Sequence, residues 1–134
     1  MNKPVVLVHG AWHGPWCWER VTPYLDAANV DWVAPDLPSV VDASRGANQI
    51  EDNAVVRDAL DGLPGSEKAI LLGHSRGGTV ITEAGTHDRV GHLVYLAAFL
   101  GLENEDTAPY RSDDLTQCLE FHDDGTITVK TELG

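Results

Sequence analysis

The chain has 134 residues and a formal net charge of −12, from 9 basic and 21 acidic side chains. This length suits a single domain, and a hydrophobic content of 43% with four tryptophans is typical of a folded globular protein rather than a disordered one. The negative charge opposes binding to phosphate backbones and anionic lipid surfaces, so we expect neither nucleic-acid nor membrane partners.

The sequence predicts neither a targeting segment nor a metal site. The opening stretch MNKPVVLVHG is too short for a signal peptide, and no apolar run reaches transmembrane length, so a cytoplasmic location is expected. The six histidines show no metal-ligand spacing, which predicts no metal. Cys17 and Cys118 lie in no C-x-x-C arrangement, and we expect both to be reduced structural thiols.

The first elements along the chain are a buried strand, an irregular helix and a second strand. Residues 4–10, PVVLVHG, are a continuous apolar run typical of a parallel strand covered on both faces. The apolar residues that follow have helical spacing: Val21, Tyr24, Leu25 and Ala28. Pro23 interrupts this pattern, which predicts an irregular or kinked entry to the helix. Residues 30–38 predict a second strand, and residues 39–49 predict a loop.

The alternation of helix and strand then repeats. A helix is predicted over Asn48 to Leu63, with an apolar stripe of Val56, Ala59, Leu60 and Leu63 and a polar face of Glu51, Asp52, Arg57 and Asp58. Residues 68–75 predict a third strand, residues 76–87 its helix and residues 90–101 a fourth strand. The resulting β-α-β-α-β-α-β pattern predicts an α/β fold, a mostly parallel sheet with flanking helices and right-handed crossovers.

The remaining stretch, residues 101–134, has a different character. It is acidic and weakly patterned, with an Asp124-Gly125 turn before the alternating residues 126–129. We therefore assign residues 1–100 to the α/β core and residues 101–134 to a separate segment that need not join the sheet.

The stretch GHSRG, from Gly73 to Gly77, fits the G-x-S-x-G pattern at the junction of the third strand and its helix. In this setting the pattern indicates a nucleophile elbow, a sharp turn that presents a serine, here Ser75. Serine on such a turn has strained backbone geometry, and its neighbours two positions away must be small to avoid a clash. Gly73 and Gly77 meet that demand.

The same turn places a helix N-terminus beneath Ser75, where free N–H groups and the positive end of the helix dipole favour a developing oxyanion. The backbone N–H of Arg76 is the first candidate donor. A second donor is expected from the loop that follows another central strand. We predict the backbone N–H of Ala11, because HGAW ends the first strand at the carboxyl edge where α/β proteins bind ligands.

Together, VLVHGAWHGPWCW and LLGHSRGG resemble the α/β-hydrolase superfamily, and within it the small esterase and hydroxynitrile-lyase group. The resemblance covers residues 3–100. It implies that Ser75 is the nucleophile, that Ala11 and Arg76 supply the oxyanion N–H groups, that no cofactor is needed and that a cap over the active site begins near Gly101. Lyases of this group carry a polar residue after the motif histidine, where this chain has Gly10, and this difference favours ester hydrolysis.

The chain departs from the family where the catalytic base is concerned. The family places its acid and its histidine after later strands, but only 34 residues follow Leu100 and they contain no further strand-helix-strand pattern. His122 is the one histidine in that stretch and is a poor candidate for the base. We leave open the alternative that the catalytic acid is one of three residues in an acidic run, Glu103, Glu105 or Asp106. We therefore expect the chain to be the N-terminal half of the fold, with the C-terminal core strands absent, and to be inactive alone.

Other residues near the motifs have expected supporting roles. Gly10, Trp12 and His74 are candidates for the substrate pocket, although tryptophans near a helix start more often pack in a core, as we expect for Trp16 and Trp18. His9 is expected to hydrogen-bond the oxyanion loop, and Asp36 to brace a neighbouring loop. We leave the Arg76 side chain open between the cap, a substrate carboxylate and the protein surface.

The sequence thus favours a serine hydrolase acting on small-molecule carboxylic esters. A hydroxynitrile lyase and a non-catalytic module that binds a small ligand are the alternatives. Because half of a sheet exposes an unpaired edge, we expect the missing C-terminal half or a second copy of the chain as a partner.

Overall fold

Strands β1 to β4 form one parallel sheet in this computed structural model, which describes residues 2–41, 47–101, 106 and 108–131. The strands span Val5–Val8 (β1), Trp32–Val33 (β2), Ala69–His74 (β3) and Val90–Leu96 (β4). Their spatial order is β2-β1-β3-β4. Helices span Thr22–Ala27 (α1), Pro38–Val41 (α2), Gln49–Asp61 (α3) and Gly77–Ala84 (α4). The predicted α/β fold with a mostly parallel sheet is confirmed.

Helices cover both faces of the sheet. Val6 and Val8 of β1 pack in the apolar cluster that contains buried residues of α3 and α4, whereas Val5 and Leu7 pack with Trp18 on the opposite face. Alternate residues of a strand point to opposite faces, so a strand between two helical layers needs apolar side chains at every position. This requirement explains the uninterrupted apolar sequence of β1.

The register of the sheet brings two chain segments together at its carboxyl edge. Val8, the last residue of β1, pairs with Gly73 of β3. The residues that follow, His9–Gly10 on one strand and His74–Ser75 on the other, therefore emerge side by side. This is the edge at which α/β sheets bind ligands.

Helix α3 has a well-defined start and a polar residue in its buried stripe. Asn48 caps the helix by accepting the N–H of Ile50 and Glu51, and the Glu51 carboxylate accepts the N–H of Asn48 in return. The predicted apolar stripe packs as expected, with Val56, Leu60 and Leu63 buried. Asp52 was expected on the polar face but is fully buried, because groups of Ser39 and Arg76 donate hydrogen bonds to its carboxylate.

The segment before β2 has the irregular helix entry that Pro23 predicted, because a 3₁₀ turn, Pro15–Trp18, precedes the six-residue α1. The predicted apolar stripe was wrong: Tyr24 is 77% exposed, and Leu25 alone of the stripe packs in the core. The segment expected to be a loop contains α2, because the carbonyl of Leu37 accepts the N–H groups of Val40 and Val41 and closes a helical turn. Residues 42–46 of that segment lie outside the described residues.

Strand β4 is an edge of the described sheet and is largely exposed. Its paired neighbour is β3, and Leu93, Val94 and Leu96 are between 38% and 48% exposed. In the part of the chain that the structure describes, no helix is long and apolar enough to cross a membrane.

The chain divides into two compact units, Met1–Glu103 and Asn104–Gly134. In the second unit a short helix α5, Asp113–Gln117, precedes an antiparallel hairpin of β5, Leu119–Phe121, and β6, Ile127–Val129. The hairpin turn follows the predicted Asp124-Gly125 signal: Gly125 has a φ of 83°, and the Asp124 carboxylate accepts the N–H of Thr126. The hydrogen bond from the Thr126 hydroxyl, and secondarily the one from its N–H, lowers the pKa of Asp124.

Candidate active site

Ser75 lies on a sharp turn between β3 and α4. Its φ is +52°, in the left-handed region that residues other than glycine rarely adopt. Strand β3 ends at His74 and α4 begins at Gly77, so only Ser75 and Arg76 connect them. A non-glycine residue held in this conformation is a strained feature of the kind found at functional sites.

The glycines around Ser75 are required by close backbone contacts. A Cβ atom on Gly73 would lie 2.6 Å from the carbonyl oxygen of Gly77. A Cβ atom on Gly77 would lie 2.6 Å from the carbonyl oxygen of Val8 and 2.7 Å from that of His9. These contacts with rigid backbone leave no room for a side chain at either position. The turn thus has the strand-turn-helix geometry that a nucleophile elbow requires.

Gly10 approaches Ser75 directly from the neighbouring strand. A Cβ atom on Gly10 would lie 2.9 Å from the Ser75 Cβ atom and 3.4 Å from its Oγ. The backbone after β1 therefore passes next to the serine side chain, and any side chain at position 10 would disturb it.

The two peptide groups that carry the candidate oxyanion donors are both held by their carbonyl oxygens. The Gly10 carbonyl, in the peptide that bears the Ala11 N–H, accepts a hydrogen bond from His9 Nδ1 over 2.8 Å. The Ser75 carbonyl, in the peptide that bears the Arg76 N–H, accepts from the N–H groups of Gly78 and Phe99 at 3.0 and 3.1 Å. Because a peptide group is planar and trans, holding its oxygen also fixes the direction of its N–H.

The N–H groups of Ala11 and Arg76 are themselves available. Within the residues that the structure describes, neither donates a hydrogen bond to the protein. Backbone N–H groups without a protein acceptor are rare in folded proteins unless water or a ligand accepts their hydrogen bond. Ala11 follows Gly10, which lies against Ser75, and Arg76 follows Ser75 itself, so both N–H groups remain candidates to bind an oxygen anion at this serine.

His9 is buried and holds a defined tautomer. Its Nε2 accepts the N–H of Leu37 at 3.1 Å, so the ring proton is assigned to Nδ1, where it donates to Gly10. The carboxylate of the half-exposed Asp36 lies 3.3 Å from the same Nε2. His9 therefore links the loop after β1 to the segment after β2, which agrees with the expected supporting role.

An aromatic cluster lies beside the turn. The His13 ring stacks on Trp16 with centroids 5.3 Å apart, and His74 meets the edges of His13 and Trp18 at 6.1 and 6.4 Å. Burial, and secondarily the neighbouring His13, lowers the pKa of His74 and favours its neutral form. Trp18 belongs to the core as expected, whereas Trp16 is 60% exposed, so its expected core position is wrong. Trp12 is 40% exposed and has a φ of +61°. A substrate-contact role for Gly10, Trp12 and His74 stays a prediction.

The side chain of Arg76 has a partner that the sequence reasoning missed. Its Nη1 lies 2.9 Å from the buried Asp52 carboxylate, a partner that was not among the alternatives left open for this partly exposed side chain. A signal for Asp52 existed, because it lies four residues before Val56 and eight before Leu60, on the buried stripe of α3.

A general base for Ser75 is not found among the described residues. Within them no histidine nitrogen hydrogen-bonds the Ser75 hydroxyl, and His122 Nε2 instead lies 2.8 Å from Thr128 Oγ1 within the second unit. Glu103 and Glu105 of the acidic run lie outside the described residues. The described part also holds no group of three or more His, Cys, Asp and Glu side chains able to bind a metal.

Comparisons with known proteins show which family the chain resembles over most of its length. A model of the alpha/beta hydrolase family matches residues 5–127. The pFDCC methylesterase MES16 of Arabidopsis thaliana is 36% identical over 114 residues, which are 81% of this chain and 44% of that protein. Pheophorbidase of Raphanus sativus is 38% identical over 99 residues, which are 69% of this chain and 38% of that protein.

Solved structures show the same likeness. The crystal structure of MES16 matches with a TM-score of 0.66 and 36% identity, covering 74% of this chain and 44% of that one. The pyrethroid hydrolase PytH matches with a TM-score of 0.75 and 26% identity, covering 96% and 56%. The chain thus spans less than half the length of the curated relatives it matches. Since the family model matches most of its residues, the chain belongs to the alpha/beta hydrolase family.

Proposed function

We propose that this protein is a serine hydrolase that cleaves carboxylic esters, with Ser75 as the nucleophile. The observation that carries the proposal is the position of Ser75, which has a positive φ on a turn between β3 and α4 and lies against Gly10. The relatives named methylesterase support the choice of esters as the substrate class.

In the proposed reaction the Ser75 hydroxyl attacks the ester carbonyl while a general base takes its proton. The carbonyl oxygen becomes an oxyanion and receives hydrogen bonds from the Ala11 and Arg76 N–H groups. The tetrahedral intermediate collapses to an acyl-enzyme, and the alcohol leaves with the proton from the base. Water then attacks the acyl carbon by the same route, which releases the carboxylic acid and restores Ser75.

We propose that the base and its acid partner are supplied by sequence outside these 134 residues. Two observations support this: no described histidine reaches the Ser75 hydroxyl, and the matched relatives are more than twice as long as the regions they share with this chain. We further propose that additional strands of the same fold, rather than a second copy, cover the exposed side chains of β4. A complete-gene protein that is monomeric supports this, and an obligate dimer of the chain contradicts it.

Gly10 favours ester hydrolysis over the hydroxynitrile-lyase alternative. A polar side chain at this position, which the lyases of the resembling group carry, would start from a Cβ atom 2.9 Å from that of Ser75. The present backbone does not accommodate it, so we assign no lyase activity to this protein.

The test is hydrolysis of a methyl ester and of a short-chain aryl ester by the protein purified from its complete gene. Ser75→Ala is expected to lower kcat by about 10³-fold or more, because the nucleophile is removed. Ser66→Ala, at an exposed serine in the turn before β3, serves as the control and keeps the wild-type rate. Hydrolysis that survives Ser75→Ala, or a wild type without hydrolysis, contradicts the proposal.

A further inference from the structure

Asp52 is a fully buried carboxylate that receives three hydrogen bonds. Its Oδ1 accepts the Ser39 N–H at 3.0 Å, and its Oδ2 accepts the Ser39 hydroxyl at 2.7 Å and Arg76 Nη1 at 2.9 Å. A buried carboxylate without partners is strongly destabilising, so these donors are what permits Asp52 inside the protein. Asp52 thereby joins α3 to α2 and to the turn that bears Ser75.

The same contacts connect the two candidate oxyanion donors. On one side Asp52 holds Arg76, whose own N–H is a donor. On the other side Asp52 holds Ser39, two residues after Leu37, and the Leu37 N–H is bound to His9, which fixes the Gly10–Ala11 peptide. Hydrogen bonds, joined by the short chain segment from Leu37 to Ser39, thus link the Ala11 donor to the Arg76 donor, with the Asp52 carboxylate near one end.

We propose that Asp52 is a positioning residue for the reaction, which acts through Arg76 by fixing the direction of the Arg76 N–H toward the oxyanion. This inference rests on the proposed function of Ser75. Arg76 precedes the first residue of α4 and is the single residue between Ser75 and that helix in the chain. An anchor on its side chain therefore restricts the φ angle of Arg76, and with it the tilt of the Ser75–Arg76 peptide plane that carries the N–H, in addition to the hydrogen bonds on the Ser75 carbonyl.

Asparagine at position 52 tests the anchor with little change of volume. All three partners of Asp52 donate, so the new amide NH₂ must face at least one of them. The Ser39 hydroxyl can rotate and accept, but the Arg76 guanidinium and the Ser39 N–H can only donate. Asp52→Asn therefore removes the ion pair in either orientation of the amide. It also loses the hydrogen bond from Arg76 in one orientation and that from the Ser39 N–H in the other, and either loss loosens the connection.

The experiment compares Asp52→Asn with Asp58→Asn, which makes the same charge change at an exposed position of the same helix. We expect Asp52→Asn to lower kcat about tenfold, less than full removal of an oxyanion donor, while KM stays within about twofold. Affinity for a tetrahedral boronate should fall with kcat, whereas a merely structural role would leave it unchanged in the folded fraction. Asp58→Asn is expected to behave as wild type.

A double-mutant cycle shows whether Asp52 acts through Arg76. Arg76→Gln removes the ion pair with Asp52 by changing the partly exposed partner, and it keeps the backbone N–H of residue 76. If the two residues act together, Asp52→Asn combined with Arg76→Gln has a kcat no lower than the worse single variant. Independent, multiplicative losses overturn the inference. Should Asp52→Asn not fold, an unchanged kcat in folded Arg76→Gln overturns it as well.

The outcomes separate this inference from the proposed function. Hydrolysis that is abolished by Ser75→Ala but unchanged in Asp52→Asn overturns the positioning role alone. Hydrolysis that is absent from the wild type, or indifferent to Ser75→Ala, overturns both.

Discussion

The imidazole Nδ1 of His9 donates to the carbonyl oxygen of Gly10 over 2.8 Å. The same peptide group carries the Ala11 N–H on its opposite side, so a buried ring behind the loop determines where that N–H points. The other ring nitrogen is held by the N–H of Leu37. The orientation of one proposed oxyanion donor thus depends on the rotamer and tautomer of His9.

Two substitutions separate the hydrogen bonds of His9. Asparagine carries its amide at the same number of bonds from Cα as Nδ1, so His9→Asn can still donate to Gly10. Glutamine reaches the position of Nε2 instead and keeps only the contact with Leu37. We expect kcat to fall by less than about tenfold in His9→Asn and by about 10²-fold or more in His9→Gln. Steady-state kinetics measure kcat for both variants. An equal loss of kcat in His9→Asn and His9→Gln would contradict the proposed role of the Gly10 peptide.

Gly10→Ala tests the close approach to Ser75. Its new Cβ atom starts 2.9 Å from the Ser75 Cβ, so the loop or the serine must move, and we expect a loss of about 10²-fold in kcat. Gly62→Ala is the control, because its Cβ meets nothing closer than 3.4 Å. Equal kcat values for the two variants would show that the distance between the loop and Ser75 has no bearing on catalysis.

Gly77→Ala tests the turn through stability rather than activity. The added Cβ would lie 2.6 Å from the carbonyl oxygen of Val8, which belongs to the central strand and has little freedom to move. We expect the free energy of unfolding to fall by at least about 2 kcal/mol. Urea unfolding of Gly77→Ala beside Gly62→Ala measures the difference, and a loss no greater than that of the control would be inconsistent with this packing.

The lowered pKa of His74 predicts a pH dependence. Between the folded-state pKa and the ordinary value of 6.5 the unfolded chain binds more protons at this residue than the folded protein. The contribution of His74 to stability is therefore complete above about pH 6.5 and decreases as the pH falls toward the folded-state pKa. His74→Gln should reduce the dependence of urea midpoints on pH in this range.

Titration of the His74 ring by NMR checks the cause of that shift. Because burial is the larger cause and His13 the smaller one, His13→Gln should raise the pKa of His74 without restoring its ordinary value. An unperturbed titration of His74 in the wild type, or a pH slope unaffected by His74→Gln, would contradict the prediction.

The parts of the fold that could be predicted are those whose physical demands act on consecutive residues. A strand covered on both faces needs apolar side chains throughout, so β1 and β3 were recognisable from their sequence alone. The turn at Ser75 excludes Cβ atoms at fixed positions on either side, and that exclusion is visible as Gly73 and Gly77. The apolar stripe of α3 likewise predicted a helix from Asn48, one residue before its observed start at Gln49.

The parts that were missed depend on contacts between distant segments. Asp52 was assigned to the polar face of α3 because it is charged, and its burial follows from donors that lie 13 and 24 residues away in the sequence. Tyr24 has helical spacing with its neighbours, but α1 is too short to bury a complete stripe. The burial of Asp52 thus follows from tertiary partners, which local patterns do not contain.

The most direct test of the account is covalent labelling by an alkyl fluorophosphonate, which reacts only with an activated serine. The protein from the complete gene is treated with the probe, and the modified residue is located by mass spectrometry of its peptides. The account predicts a single phosphonylated residue, Ser75, in the wild type and in Ser66→Ala, and no labelling in Ser75→Ala. An unlabelled wild type, or a label on another serine, would contradict the assignment of Ser75 as the nucleophile.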